Sequence, residues 1–235
     1  MWRTVTPEVQ DLLLEVALYR RLSEDDREHL AAAATVERFD KGEAVFHEGD
    51  PAQDFFTLVR GRVKVYKVMP NGRVVILEIL GPGDPVGAVA VYESLAYPAT
   101  AEAMDETLCI RIPKDPFFQL LETRPSLARG LLKAMTHRIV VLANRFADHA
   151  AGKVETRFAR LFLKLASEMG RAEAEAEGVF IPMRLSRQEL ADLMGTTVET
   201  SIRIMSRWGK EGVVQTKKSG FLVIDRRALE QISAD

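Results

Sequence analysis

The densest chemistry in this sequence lies between positions 186 and 220. Ser186 offers a hydroxyl to the free N–H groups of a helix start, and Glu189, three residues on, completes a capping box. The expected helix runs from Arg187 to Met194. Gly195 supplies a left-handed stop, and Thr196 or Thr197 caps a second helix reaching Trp208 and ended by Gly209 or Gly212. Two short helices across a glycine turn make a helix-turn-helix. Leu190, Leu193 and Met194, with Val198, Ile202 and Met205 on the second helix, form the expected inner faces. Glu199, Thr200, Arg203 and Arg207 are left outward, where carboxylate and guanidinium groups can meet DNA. Next, Val213–Thr216 and Phe221–Ile224 read as a hairpin with the basic tip Lys217-Lys218-Ser219-Gly220, a wing that sets lysines near phosphates. A winged helix that binds protein is the alternative.

Those elements need a scaffold, and composition bounds it. At 235 residues the chain suits two domains. Net charge is −2, with 14 Lys+Arg against 12 Asp+Glu in residues 151–235 and 18 against 22 before them, so charge alone argues little about polyanions. One cysteine, Cys109, excludes an internal disulfide, a cysteine-rich zinc site and an all-cysteine iron–sulfur cluster within one chain. No apolar run approaches the ~20 residues that cross a bilayer, and no basic leader precedes the first apolar stretch, so a cytoplasmic location is expected.

From Ala44 to Ile112, short β-branched and aromatic runs alternate with Gly, Pro, Asn and Asp, the texture of an all-β barrel or sandwich. Arg62–Val68, the turn Pro70-Asn71-Gly72 and Val74–Leu77 predict a hairpin. In Thr107–Ile112 the alternation puts Leu108, Ile110 and Ile112 on one face and Thr107, Cys109 and Arg111 on the other, away from the core. Residues from Pro125 to about His149 read as one long helix. Within it Leu132, Met135, Ile139, Leu142, Phe146 and His149 are spaced 3, 4, 3, 4 and 3, the repeat of a coiled-coil seam. The alternative is an amphipathic helix lying on its own barrel. With a second copy in the seam, Ala128, Leu131 and Val140–Val141 are left to cover the barrel. Ala150-Ala151-Gly152 reads as a small-residue break, and the Ala/Glu run 171–178 as a solvated helix extension or loop. The expected domains are 1–124, 125–149 and 150–235.

Leu185 to Arg203 resembles, without a gap, the helix-turn-helix of the CRP/FNR superfamily of bacterial transcription regulators. Gly49–Gly61 is similar to the cyclic-nucleotide-binding signature, and with the hairpin, Gly83–Gly87, the long helix and the wing, the resemblance covers about residues 18 to 232. It implies an α+β fold: an N-terminal antiparallel, jelly-roll-like β-roll, a long dimerisation helix and a C-terminal winged helix-turn-helix. It also implies a homodimer on double-stranded DNA that contacts RNA polymerase. By the family's pattern Val198, Glu199, Ile202 and Arg203 would read bases, Glu199 accepting from cytosine and Arg203 forking onto guanine, in an inverted repeat with TGA and TCA arms. Ser186, Gln188, Thr200, Lys217 and Lys218 would hold phosphates.

One part departs from the pattern. Members that bind cyclic AMP carry a Gly-Glu pair and, about ten residues on, an Arg-Ser or Arg-Thr pair. Here Ala88 stands in the Glu position and Tyr97-Pro98 in the Arg-Ser position. Alanine accepts no hydrogen bond, and a phenol does not balance a buried phosphate, so cyclic AMP is disfavoured. The cluster-binding branch needs N-terminal cysteines, and residues 1–40 have none. The expected effector pocket is Val86, Gly87, Ala88, Val89, Tyr97 and Pro98, with Val91, Tyr92 and Leu95 nearby. It suits an unidentified apolar effector, haem on His47, His137 or His149, or no ligand at all. No paired carboxylates, Ser/His/Asp set, phosphate loop or metal spacing suggests an enzyme.

Overall fold

The computed structural model describes residues 7–20, 22–151, 153–172 and 178–234, the side chains at 7, 8, 137, 141, 144–151 and 172 lying outside that description. The chain divides into two compact units, Met1–Val140 and Val141–Asp235.

The first unit opens with helices α1 (Pro7–Glu15) and α2 (Glu24–Ala33). Ser23 caps α2 by accepting from the Asp26 amide. Eight strands follow: β1 (Thr35–Phe39), β2 (Ala44–Phe46), β3 (Asp54–Arg60), β4 (Val63–Val68), β5 (Val74–Leu80), β6 (Pro85–Val86), β7 (Thr100–Ala103) and β8 (Thr107–Pro113), with the short helix α3 (Ala88–Tyr92) before β7. They form two four-stranded antiparallel sheets, β1-β8-β3-β6 and β2-β7-β4-β5, the expected β-roll. The predicted hairpin is β4–β5, in register from Val63 opposite Leu80 to Val68 opposite Val74, with a bulge at Val65/Tyr66. Its turn places Gly72 at φ 79°, and Asn71 accepts from the Arg73 amide at 3.1 Å. At the β3–β4 corner Gly61 has φ 82°, and a Cβ there would fall 2.5 Å from the Glu106 carbonyl, so only glycine fits.

Cys109 corrects the sequence reading. It is fully buried in the core, and Thr107 is buried beside it. Alternation predicts an exposed face only where one side of a sheet meets water. β8 is an interior strand against which α1, α2 and α4 (Lys114–Thr123) pack, so both faces are covered. Burial pushes the Cys109 thiol up to about 12.

Helix α5 (Pro125–Ala151) is the predicted long helix, and the boundary between units falls within it. Its start is tied down by Arg124, whose Nε donates to Asp26 Oδ2 at 2.6 Å. The sharing of its faces differs from expectation: Leu127 is buried, Leu131 and Met135 pack against the core, and Val140 is exposed. The chain is still helical at Ala150 and Ala151, where the break is expected; Gly152 lies outside the described residues, and Lys153 precedes the helix that starts at Val154.

The second unit comprises α6 (Val154–Met169), β9 (Arg171–Ala172), β10 (Val179–Ile181), α7 (Arg187–Met194), α8 (Val198–Lys210), β11 (Val214–Lys217), β12 (Gly220–Val223) and α9 (Arg226–Ala234). Its sheet order is β11-β12-β10-β9. Of the segment expected to be solvated, Arg171 and Ala172 form β9, opposite Phe180 and Val179. Phe158, Phe162, Trp208 and Phe221 are fully buried, with Phe162 edge-on to Phe221 (5.1 Å between centroids) and to Trp208 (6.0 Å). Each large apolar side chain buried in this way contributes about 1.5–3 kcal/mol. α9 has no counterpart in the sequence reading; it packs on α6, where Arg160 donates to the Ser233 carbonyl at 3.0 and 3.2 Å.

Candidate nucleic-acid interface and effector cassette

The turn between α7 and α8 is built by local chemistry. Ser186 Oγ accepts from the Glu189 amide at 3.1 Å and Glu189 Oε2 accepts from the Ser186 amide at 2.8 Å, a complete capping box. Gly195 is left-handed at φ 61°, and Thr197 caps α8 by accepting from the Thr200 amide at 3.3 Å. α8 then ends at Lys210, followed by Gly212 at φ 71°.

The faces of α8 sort differently from the reading on one point. Ser201, Ile204, Met205 and Trp208 are buried, a stripe at helical spacing, whereas Ile202 is 47% exposed and Val198 half-buried. Ile202 therefore lies with Glu199 and Arg203 on the outer face. Arg207, expected outward, pairs with Glu155 of α6, which also accepts from Trp208 Nε1 at 2.9 Å, and this carboxylate raises the Arg207 pKa. Trp208 is thus held by its indole N–H as well as by packing.

Around this face, Lys217 and Lys218 are exposed at the tip of the β11–β12 hairpin, and Ser186 and Gln188 are exposed at the start of α7. Gln188 donates its amide to Asp192 Oδ1 at 2.8 Å. Sequence reasoning passes over Arg187. Its Nη2 donates to Thr216 Oγ1 at 2.7 Å, fastening the wing strand to the first helix, and partial burial lowers its pKa. An arginine beside the cap is visible in sequence; its partner 29 residues on is not.

Of the seam residues, Leu132 and Ile139 are 67% exposed and Leu142 43%, whereas Met135 faces the core. The side chains of Phe146, His149 and His137 lie outside the described residues. His47, the other haem candidate, is on an exposed turn whose amide donates to Asp50.

The residues of the expected effector pocket do not share one lining. Val86, Ala88, Val91 and Tyr97 are buried, while Val89, Tyr92, Leu95 and Pro98 are exposed. Tyr97 stacks on Phe46 with ring centroids 3.6 Å apart and donates its hydroxyl to the Asp54 carbonyl at 2.9 Å. A Cβ added at Gly87 would lie 2.5 Å from the Tyr97 ring and 3.0 Å from that of Phe46, so protein atoms fill the space beside the cassette glycine. Sequence reasoning also misses an ion pair: Glu78 of β5, buried, has Oε2 2.6 Å from Arg138 Nη2 of α5. Arg138 Nη1 also donates to the Pro85 carbonyl at 3.4 Å. A separate cavity of about 510 Å³ is lined by Asp11, Glu15, Arg38, Arg60, Glu106 and neighbouring apolar groups. Among the described residues no His/Cys/Asp/Glu group could hold a metal ion, and no helix is long and apolar enough to cross a membrane.

Comparison with known proteins identifies both halves. Residues 36–124 match the cyclic nucleotide-binding domain and 156–232 the Crp-like helix-turn-helix domain. The chain is 26% identical over 191 residues to a CRP-like cAMP-activated global transcriptional regulator of Mycobacterium tuberculosis, covering 81% of this chain and 84% of that protein. It is 29% identical over 205 residues to the nitrogen fixation regulation protein FixK of Bradyrhizobium diazoefficiens, covering 83% and 81%. Among solved structures, a transcriptional regulator of the CRP family from Thermus thermophilus is 27% identical, with a TM-score of 0.70 over 85% of this chain and 97% of that one.

Proposed function

Because the chain belongs to the CRP/FNR superfamily of transcription regulators, we propose that it works as a cytoplasmic homodimer on an inverted repeat, without cyclic AMP. The carrying observation is the outer face of α8, where Glu199, Ile202 and Arg203 are exposed on a helix anchored by four buried side chains. Glu199 accepts from a cytosine amino group and Arg203 forks onto guanine O6 and N7, each good pair contributing about 1–3 kcal/mol of discrimination. Val198 and Ile202 offer apolar contact, as to a thymine methyl. Ser186, Gln188, Thr200, Lys217 and Lys218 hold phosphates and set the register. The half-sites are TGA and TCA arms about 34 Å apart, one helical turn.

Dimerisation follows from the stripe of Leu132, Ile139 and Leu142, an apolar face that a second α5 covers. Contact with RNA polymerase is carried over from the family. The Mycobacterium relative is described as cAMP-activated. In this chain Ala88 and Tyr97-Pro98 leave a cyclic phosphate without its carboxylate and guanidinium partners, and Tyr97 stacks over Gly87. The regulator therefore senses a different small effector or acts without one.

Mobility shift of a duplex carrying the TGA/TCA inverted repeat against one with scrambled arms tests this. Specific binding tighter by about 10³-fold or more is expected. Equal, weak binding of both would leave the winged unit as a protein-binding module.

A further inference from the structure

The Glu78–Arg138 pair does not belong to the DNA-reading surface, and its geometry is that of a fastening. Glu78 sits on β5 with its side chain 10% exposed, and Arg138 on α5 with its side chain 22% exposed. A carboxylate so far removed from water is retained only when a cation compensates its desolvation, and the Arg138 guanidinium, with Nη2 2.6 Å from Glu78 Oε2, does so as an ion pair. The second nitrogen of the same guanidinium reaches the Pro85 carbonyl, two residues before the cassette glycine Gly87. One side chain of α5 thus holds the β5 strand and the chain entering the cassette together. Beyond Arg138 the same helix continues to Ala151, carrying the exposed Ile139 and Leu142. Beside Gly87, the stacked Tyr97 and Phe46 rings occupy the space a Cβ would need.

We propose that Arg138 is a positioning residue that fastens α5 to β5 and the cassette from within, so that the protein is competent for DNA binding with no effector bound. This rests on the DNA-binding reading above and chooses between its two alternatives. A ligand that bridges a β-roll and its long helix would bring negative charge to a cation, or donors to carbonyls; here Glu78 and Pro85 already supply the carboxylate and the carbonyl. Arg138→Gln and Glu78→Gln then release the helix without disturbing α8, whose residues lie in the other unit.

The test uses the full-length chain, purified and dialysed without added small molecules. Native mass measurement of the wild type should give two chains and nothing more, and the wild type should bind the selected inverted repeat as purified. Each glutamine variant should lose at least tenfold in affinity while circular dichroism and light scattering report a folded dimer. Arg138→Lys keeps the charge but loses the second nitrogen, and should fall between. A stoichiometric small molecule in the wild-type mass spectrum, or glutamine variants that bind within twofold of wild type, would overturn the proposal. If the glutamine variants unfold, Arg138→Lys decides, since binding equal to wild type contradicts a role for the second nitrogen. A wild type that selects no duplex at low salt would instead refute the DNA-binding reading.

Discussion

The α7–α8 segment and the cassette between β6 and β7 are both short and both family signatures, yet they differ in what fixes them. In α7–α8 the defining bonds join residues three apart: Ser186 with Glu189, and Thr197 with Thr200. In the cassette they join residues far apart: Tyr97 with Phe46 and with the Asp54 carbonyl, and Arg138 with Glu78. A reading unit kept by local rules retains its chemistry as the sequence drifts. A site assembled from distant strands can be filled by a few side chains, as the stacked Tyr97 and Phe46 rings fill the space beside Gly87.

The sharpest way to break this comparison is at the proposed dimer face, the exposed stripe of Leu132, Ile139 and Leu142. Leu142→Asp places an exposed carboxylate beside its twin in a second copy, so light scattering should report monomers and operator affinity should fall by roughly a hundredfold or more, about 2.7 kcal/mol. A variant that stays dimeric would move the interface elsewhere. Next in size, Arg203→Ala should cost about 1–3 kcal/mol at sites carrying the arm guanine and little at sites lacking it, measured by titration against both duplexes.

This contrast also explains what can be read beforehand. Caps, the glycine stop, the wing and the β4–β5 hairpin rest on contacts within a few residues, and each lies where the spacing puts it. Spacing points Ile202 inward because 198, 202 and 205 share a coiled-coil repeat; the actual stripe 201, 204, 205 and 208 includes a serine that hydropathy does not mark. Alternation misplaces Cys109 because helices from both flanks of the sheet in sequence cover its second face. Arg207 is exposed as its spacing predicts, but its pairing with Glu155 is not legible because that partner lies in another helix. The replacement of the cassette residues is legible at Ala88 and Tyr97, but not the Phe46 stack or the Glu78–Arg138 pair.

Smaller effects sharpen the comparison further. Ser186→Ala removes half of the capping box and should destabilise the winged unit by about 1 kcal/mol in urea denaturation, whereas an unchanged midpoint would mean that the box adds nothing. Lys218→Ala should weaken all duplexes about equally and lower the salt slope by about one unit. Cys109, its thiol raised to about 12 by burial, should resist alkylation at pH 8 in the folded protein and react once it is unfolded. Least of all, millimolar cyclic AMP should leave operator affinity unchanged; a gain would show that Arg73 or Arg138 serves the phosphate.

Selection of bound duplexes from a random pool by the wild-type protein is the most direct test of the central claim that a dimer reads DNA through the outer face of α8. An inverted repeat with TGA and TCA arms about one helical turn apart should be enriched. No enrichment at low salt, or an enriched motif that Arg203→Ala leaves unchanged, would contradict it.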